Sequence, residues 1–136
     1  MASRGGWYRS TRRSSNSGRP PVPPATKAEV EIAAQRLIDL VLKPKYVQPP
    51  PAEPQFNYII DVRSKWRGSY FYLFSVYQVA DSEQTFDANI ARLEHAGRGR
   101  FHLAFQRHTG EWITLATDQT IDECLDTIEH EFFFQP

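Results

Sequence analysis

A paired-strand pattern near the end of the chain constrains the fold more than any other feature. Apolar and polar residues alternate from Gly99 to Arg107 and again from Glu111 to Leu115, and the residues between the two runs end in Gly110. A three-residue loop brings the apolar residues of both runs to one face, because a slip of one residue would turn every side chain of a strand over. The pattern therefore predicts a β-hairpin. Its predicted pairs are Arg107 with Glu111, Phe105 with Ile113 and Leu103 with Leu115.

The sequence pattern of residues 56 to 97 predicts three further strands. They contain a turn signal at Gly68, a polar run from Asp81 to Asp87 and the closely spaced Gly97 and Gly99. Connections this short join neighbouring antiparallel strands, so we expect a five-stranded antiparallel meander. The predicted strands before the hairpin are Phe56 to Arg63, Tyr70 to Val79 and Ile90 to His95.

Helical periodicity flanks the predicted sheet on both sides. Thr26 and Glu29 fit a capping box, apolar residues then recur at helical spacing, and Pro44 should end this helix because proline disfavours a helical residue before it. Thr120 and Glu123 fit a second capping box ahead of the closing helix. The fold class is therefore α+β: an N-terminal helix, five antiparallel strands and a C-terminal helix. The phenylalanines at residues 132 to 134 are expected to fold back onto the body.

The charge of the chain is divided unevenly along its length. Residues 1 to 27 hold six basic and no acidic residues, whereas the remaining residues hold 10 basic and 16 acidic ones, so the formal charges are +6 and −6. Residues 1 to 25 are rich in Arg, Ser, Gly and Pro, a composition that predicts a disordered basic arm. We expect one α+β domain at residues 26 to 136. The arginines of the arm are Arg4, Arg9, Arg12, Arg13 and Arg19.

The sequence gives no support for catalysis or metal binding. Cys124 is the only cysteine, which excludes an intrachain disulfide and a cysteine-rich zinc site. The four histidines lack ligand spacing, no Gly-x-Ser-x-Gly motif occurs, and no paired acid and base can be nominated from the scattered carboxylates. We therefore expect a non-enzymatic protein without catalytic residues, metal or cofactor. Cys124 itself falls on an apolar helical stripe and is interpreted as a small buried hydrophobe.

No stretch of the chain predicts membrane insertion or export. The first 30 residues lack the apolar core of a signal peptide, and no run approaches the roughly 20 apolar residues that span a bilayer. Together with the single cysteine, this predicts a cytoplasmic protein that does not bind a membrane.

One face of the predicted sheet is the strongest functional candidate. If Phe101, Leu103, Phe105, Ile113 and Leu115 point toward the helices, their alternating neighbours share the opposite face. Arg92 and aromatic residues of the strand from Tyr70 to Tyr77 can join them, and Arg98 lies in the turn between the two glycines. The outward residues are Arg100, His102, Gln106, Trp112 and Thr114.

Basic residues interleaved with aromatic ones on a sheet face are typical of proteins that stack bases and follow a single strand. The expected function is therefore a binding module for single-stranded nucleic acid, using this face and the basic arm. Three alternatives remain open: a protein-interaction or oligomerisation module, an enzyme with a cleft between sheet and helices, and an ordinary half-solvated sheet face or one covered by the first helix.

The chain resembles two known groups of proteins. The run Ile90-Ala91-Arg92, the Trp112 hairpin, the Thr120 helix and the Phe-rich end resemble a small bacterial family of unknown function over about residues 56 to 136. That resemblance implies a fold and no activity. The order of strands and helix is similar to the purine-rich-element-binding repeat, which implies a sheet face that contacts single-stranded nucleic acid. Those repeats bind as paired units, so this resemblance implies a homodimer.

Overall fold

The computed structural model describes residues 21–53 and 55–136. Within them, five antiparallel strands form one sheet in chain order, and the helices lie against one of its sides. This confirms the predicted α+β architecture and meander. The strands are β1 Tyr58–Arg67, β2 Tyr70–Gln78, β3 Thr85–Gly97, β4 Arg100–Gln106 and β5 Trp112–Gln119. The helices are α1 Pro24–Leu37, α2 Lys43–Tyr46 and α3 Ile121–His130, with a π-helical turn Ile38–Leu42 and a 3₁₀ turn Phe132–Phe134.

The first helix begins and ends elsewhere than predicted. It starts at Pro24, whose missing N–H is no loss in a first turn, and no side chain caps it, so the capping box predicted at Thr26 is wrong. It also continues through Pro44. The Lys43 N–H donates to the Ile38 carbonyl across a widened π-helical turn. In a regular α-helix the ring of Pro44 would clash with the carbonyl group four residues before it. The π-helical turn changes that spacing, so the helix continues to Tyr46.

Two strands are longer than the alternation suggested. β1 continues to Arg67, because Trp66 packs against Phe71 of β2 with ring centres 5.1 Å apart, and the predicted turn shrinks to Gly68 and Ser69. Similarly, β3 begins at Thr85, inside the predicted polar loop. The lengthened strands place additional charged residues on the sheet.

The hairpin register is confirmed at its closed end and wrong further along. Arg107 N–H donates to the Glu111 carbonyl over 2.8 Å, and Phe105 pairs with Ile113. A β-bulge then shifts the pairing, so that Leu103 lies opposite Ala116 rather than Leu115. Leu115 was predicted to point into the core, but it is 38% exposed and lies outside it.

The core lies between the helices and one side of the sheet. Fully buried Phe71, Leu93 and Leu103 pack there with apolar residues of α1 and α3. The predicted capping box of α3 is confirmed: the Glu123 N–H donates to Thr120 Oγ1, and the Thr120 N–H donates to the Glu123 carboxylate. No helix of the described residues is long and apolar enough to cross a membrane.

The Phe-rich end folds back only in part. Phe134 is buried, Phe133 stacks on Phe105 with ring centres 4.7 Å apart, and Phe132 is 71% exposed. Cys124 is fully buried, as expected, and burial together with the nearby Glu123 charge raises the pKa of its thiol to about 12. A thiol with this pKa is a poor nucleophile at neutral pH.

Candidate nucleic-acid interface

The sheet side that faces away from the helices is here called the outer face. Residues next to each other on a strand point to opposite sides, so the neighbours of buried Phe71, Leu93 and Leu103 belong to this face. Cross-strand partners share a face, and the observed register therefore defines a row across the sheet. The row consists of Lys65, Tyr72, Arg92, Ala104 and Thr114.

Four half-buried side chains gather on the outer face into one cluster. The guanidinium carbon of Arg92 lies 4.6 Å from the centre of the Tyr70 ring and 4.7 Å from the centre of the Trp112 ring. The Tyr72 ring centre is 5.9 Å from that of Trp112 and 6.4 Å from that of Tyr70. We call these four residues the aromatic–arginine cluster. Cation–π contacts of this kind stabilise the guanidinium in one position.

A small residue makes the cluster possible. Tyr72 lies on β2 and Trp112 on β5, and three strand spacings of about 4.8 Å separate these strands by roughly 14 Å. Their rings meet only because both side chains lie down over the strands between them. Ala104 of β4 pairs with Arg92 and is buried, whereas a larger side chain there would occupy the same space.

The outer face carries slightly more basic than acidic residues around this cluster. On β1 to β3, register and alternation place four basic residues and three carboxylates on it. The Nζ atom of Lys65 lies 4.9 Å from the Phe74 ring centre, so it also sits over an aromatic surface. The basic residues are Arg63, Lys65, Arg67 and Arg92, and the carboxylates are Asp61, Asp87 and Glu94.

One of these basic residues is already engaged at the β1 edge. Arg63 Nε lies 2.7 Å from the Asp61 carboxylate, and Lys43 Nζ of α2 lies 3.2 Å from it. Burial works to raise the pKa of Asp61, but the hydrogen bonds from Arg63 and Lys43 lower it overall. Arg63 and Lys43 thus tie the helical segment to the sheet edge, and Lys65 and Arg67 remain as the more available cations of β1.

Arg92 carries an unmet hydrogen-bonding capacity. Its Nε atom is buried and has no hydrogen-bond partner among the residues that the structure describes. A buried donor without a partner costs about 1 to 3 kcal/mol, and a bond from a guanidinium to an anion is among the stronger hydrogen bonds in proteins. An anionic group that reached the cluster would therefore find a fixed, partly desolvated cation.

The structure brings together only part of the predicted site. Arg92 and Trp112 lie in the cluster, whereas Gln106 is used within the hairpin: its Nε2 donates to the Gly110 carbonyl over 3.0 Å, and its Oε1 accepts from Asn89 over 3.1 Å. These two bonds support the loop that presents Trp112, since Gln106 and Trp112 are paired.

Arg100 and His102 hold an irregular part of β5. The Asp118 N–H donates to His102 Nδ1 over 3.3 Å, and Arg100 Nη1 donates to the Asp118 carbonyl over 3.4 Å. Asp118 has a φ of 56°, so its backbone leaves the regular ladder at a bulge. The two side chains therefore satisfy backbone groups that the bulge would leave without strand partners.

The remaining predicted residues lie away from the cluster or outside the described chain. Arg98 is exposed in a two-residue turn, where it and Gly99 have φ of 58° and 68°, the conformation that such a tight hairpin requires. The arm residues Arg4, Arg9, Arg12, Arg13 and Arg19 lie outside the described residues.

Sequence reasoning missed Lys65 and Arg67 as outer-face residues. Both fell in the predicted turn after β1, yet the strand reaches Arg67. Their signal was the basic residue at every second position from Arg63, which is the period of one strand face. Tyr70 and Tyr72 were expected only as part of a whole strand, and the register assigns them individually to the cluster.

The side chains that could hold a metal ion do not form a cluster in the described part of the chain. Among the described residues, no three His, Cys, Asp or Glu side chains come close enough to hold a metal ion. His95 is buried against the Phe101 ring, 5.4 Å away, and burial lowers the pKa of its imidazole. Its Nε2 atom has no hydrogen-bond partner in the described part of the chain. This environment is that of a core residue.

Comparison with known proteins gives a family and no activity. The model of a family described as a domain of unknown function, DUF3024, matches residues 22–135. The match includes α1, and so begins well before residue 56, where the resemblance seen in the sequence began. No curated protein matches the chain, and no solved structure does.

Proposed function

We propose that this chain, which belongs to the DUF3024 family, is a binding module for single-stranded nucleic acid and that its outer face carries the ligand. The observation that supports this most is the position of Arg92 between the rings of Tyr70 and Trp112. It combines, on one open sheet surface, a cation for phosphate with aromatic rings for bases. A cytoplasmic location fits such a partner.

Each residue of the face has a distinct role in this proposal. Arg92 donates to a phosphate oxygen, because the rings of Tyr70 and Trp112 hold its guanidinium in place. Tyr72 and Trp112 offer ring surface to bases, and stacking of this kind accepts any base. Lys65 and Arg67 follow the backbone by charge alone. Long-range attraction of the nucleic acid comes from the arginines of the arm and from Arg98 and Arg100 at one end of the sheet.

The proposed ligand is a single strand rather than a duplex. Bases in a duplex already stack on one another, so their faces cannot meet Tyr72 or Trp112. The cluster also lies flat on the sheet and offers no element that would enter a groove. A strand with unstacked bases can instead lie across the strands, along the row from Lys65 to Arg92.

A second candidate, an interaction module that pairs with another copy, is favoured by one observation. Phe132 is 71% exposed and Phe133 is 40% exposed at the C-terminal turn, and exposed apolar side chains that lie together favour contact with a protein. A homodimer through this turn would show twice the chain mass in light scattering. It should revert to a single chain in Phe132→Ser.

The nucleic-acid proposal is tested by titrating labelled single-stranded DNA and RNA with the full chain at increasing salt. With roughly five phosphate contacts, we expect log K to fall against log salt with a slope of about −3 to −4. Duplex DNA of the same sequence should bind more weakly. Absence of binding at about 50 mM salt, where charge contacts are strongest, would refute the proposal.

A matched pair of variants locates the binding surface. Lys65→Gln with Arg67→Gln removes two charges from the outer face and should flatten the slope by about 1.4, at about 0.7 per contact. Arg36→Gln with Lys45→Gln removes two charges from exposed helical positions and should leave the slope nearly unchanged. Equal effects of the two pairs would mean that the outer face is not where the ligand binds.

A further inference from the structure

A groove between α1 and α3 has the chemistry of a binding site that the proposed function does not use. It has a volume of about 280 Å³ and is lined by apolar side chains, here called its floor, and by charged side chains, here called its rim. The floor includes Leu37, Leu40 and Leu125, and the rim consists of Arg36, Asp122 and Glu129.

The floor of the groove is not fully covered by the protein's own packing. Leu37 and Leu125 are buried, but Leu40, in the π-helical turn, is 70% exposed. When another apolar side chain covers a leucine this exposed, the free energy falls by about 25 cal/mol for each Å² of apolar surface removed from water. The groove therefore favours an apolar occupant.

The surroundings of the groove specify the charge of that occupant. Of the five carboxylates of α3 and its flanking residue, Asp122 and Glu129 line the groove, whereas Glu123, Asp126 and Glu131 are not among its lining residues; His130 is the only basic type among residues 121–131. Arg36 on the α1 side leaves the rim itself with one net negative charge. An occupant with an aromatic side chain and neighbouring cations would complement both the floor and this acidic helix.

We propose that the chain's own basic arm supplies this occupant, with Trp7 and Tyr8 in the groove and Arg9 facing the acidic rim. The run from Arg4 to Arg13 combines two adjacent aromatic residues with four arginines and no carboxylate. Trp7 and Tyr8 are the only aromatic residues in the first 20. Ring surface from either residue would cover Leu40, and Arg9 lies next to Tyr8 in the sequence.

The length of the arm allows it to reach the groove of its own molecule. Thirteen residues, or fourteen steps along the backbone, lie between Trp7 and Pro21, where the described chain begins, and they can span up to roughly 45 Å. From Pro24 to Leu40 the helical path covers 16 residues, or roughly 24 Å at about 1.5 Å per residue. The arm can therefore turn back along α1 without being fully extended.

A photo-crosslinking experiment on the full chain, without nucleic acid, tests this contact independently of the proposed function. Trp7 is replaced by p-benzoylphenylalanine, the protein is irradiated, and the attachment sites are mapped by mass spectrometry. We expect adducts within one chain at residues 33–41 or 122–129. Leu40→Asp should reduce them several-fold. Because Leu40 is 70% exposed, this variant should keep its fold, which circular dichroism checks.

The control carries the same photo-reactive residue at Ser17, which has no aromatic neighbour in the arm. This variant should give few adducts at the groove. Adducts on the outer face, adducts that join two chains, or groove adducts no more frequent than those from position 17 would each overturn the proposal.

Discussion

The two sides of the sheet use aromatic residues in different ways. Phe71 and Tyr72 are neighbours on β2, yet Phe71 is fully buried beneath the helices while Tyr72 contacts Trp112 on the outer face and stays half-exposed. On the inner side the rings fill volume between two layers. On the outer side they surround a charged group and have no second layer above them in the described residues. The difference separates residues that stabilise the fold from residues that remain available to a ligand.

Charge follows the same division. The helical residues 24–46 and 121–134 hold eight acidic and four basic residues, a net −4 with histidine neutral. On β1 to β3 the outer face holds four basic residues and three carboxylates by register, a net +1. A polyanion is therefore repelled by the helical layer and attracted to the sheet, so the sheet side is the one that can orient it.

The largest effect that would sharpen this comparison concerns the neighbouring pair on β2. Phe71→Ala should lower the free energy of unfolding by about 3 to 5 kcal/mol, because it leaves a cavity under the helices. Tyr72→Ala should lower it by only about 1 kcal/mol, since its ring is half-exposed. Urea unfolding of the two variants measures both values. If Tyr72→Ala costs as much as Phe71→Ala, the outer cluster is part of the folding core.

The next effect is on binding. Trp112→Ala should weaken single-stranded nucleic acid binding by about 1 to 3 kcal/mol, while leaving the salt slope unchanged, because stacking releases no counterions. Phe132→Ala is the control, since Phe132 is an exposed aromatic residue on the C-terminal turn. Fluorescence anisotropy at several salt concentrations measures both. A similar loss of affinity in the control would show that any exposed ring contributes.

A smaller effect distinguishes the ends of the two long helices. Thr120→Ala removes the capping box of α3 and should lower the free energy of unfolding by about 1 kcal/mol. Thr26→Ala should change it by less than about 0.5 kcal/mol, because Thr26 caps nothing in α1. Equal losses would mean that the helical layer begins at Thr26 after all. Thermal unfolding of both variants provides the comparison.

These cases show which parts of the molecule the sequence could predict. The closed end of the hairpin and the Thr120 cap were predictable because each depends on a few neighbouring residues with fixed geometry. The passage of the helix through Pro44 was not, because a π-helical turn is favoured by packing rather than by local preference. The bulge opposite Leu103 is of the same kind, since nothing in the alternation marks it.

The candidate site was predictable in its chemistry and less so in its members. Arg92 and Trp112 are 20 residues apart in the chain, and only the register of two strand pairs, β3 with β4 and β4 with β5, brings them together over Ala104. Arg100 and Gln106 had the right polarity and alternation, but their hydrogen bonds serve the bulge and the loop. Alternation identifies a face, whereas long-range register decides which residues on it meet.

The smallest expected effect is a change of stability with pH that arises on the inner side. Burial lowers the pKa of His95 below the ordinary value of 6.5 for histidine, so near and below that pH the unfolded chain binds a proton at this residue more readily than the folded chain. The free energy of unfolding should therefore fall as the pH is lowered from 7 to 5.5. The lowered pKa values of Asp61 and Glu123 affect stability only at more acidic pH, because the ordinary pKa values of aspartate and glutamate are 3.8 and 4.5. In His95→Phe the fall should be smaller, as measured by urea unfolding at the two pH values. An equal fall in wild type and variant would mean that water reaches His95 in the folded state. The inner side of the sheet would then be hydrated at this position, as the outer face is.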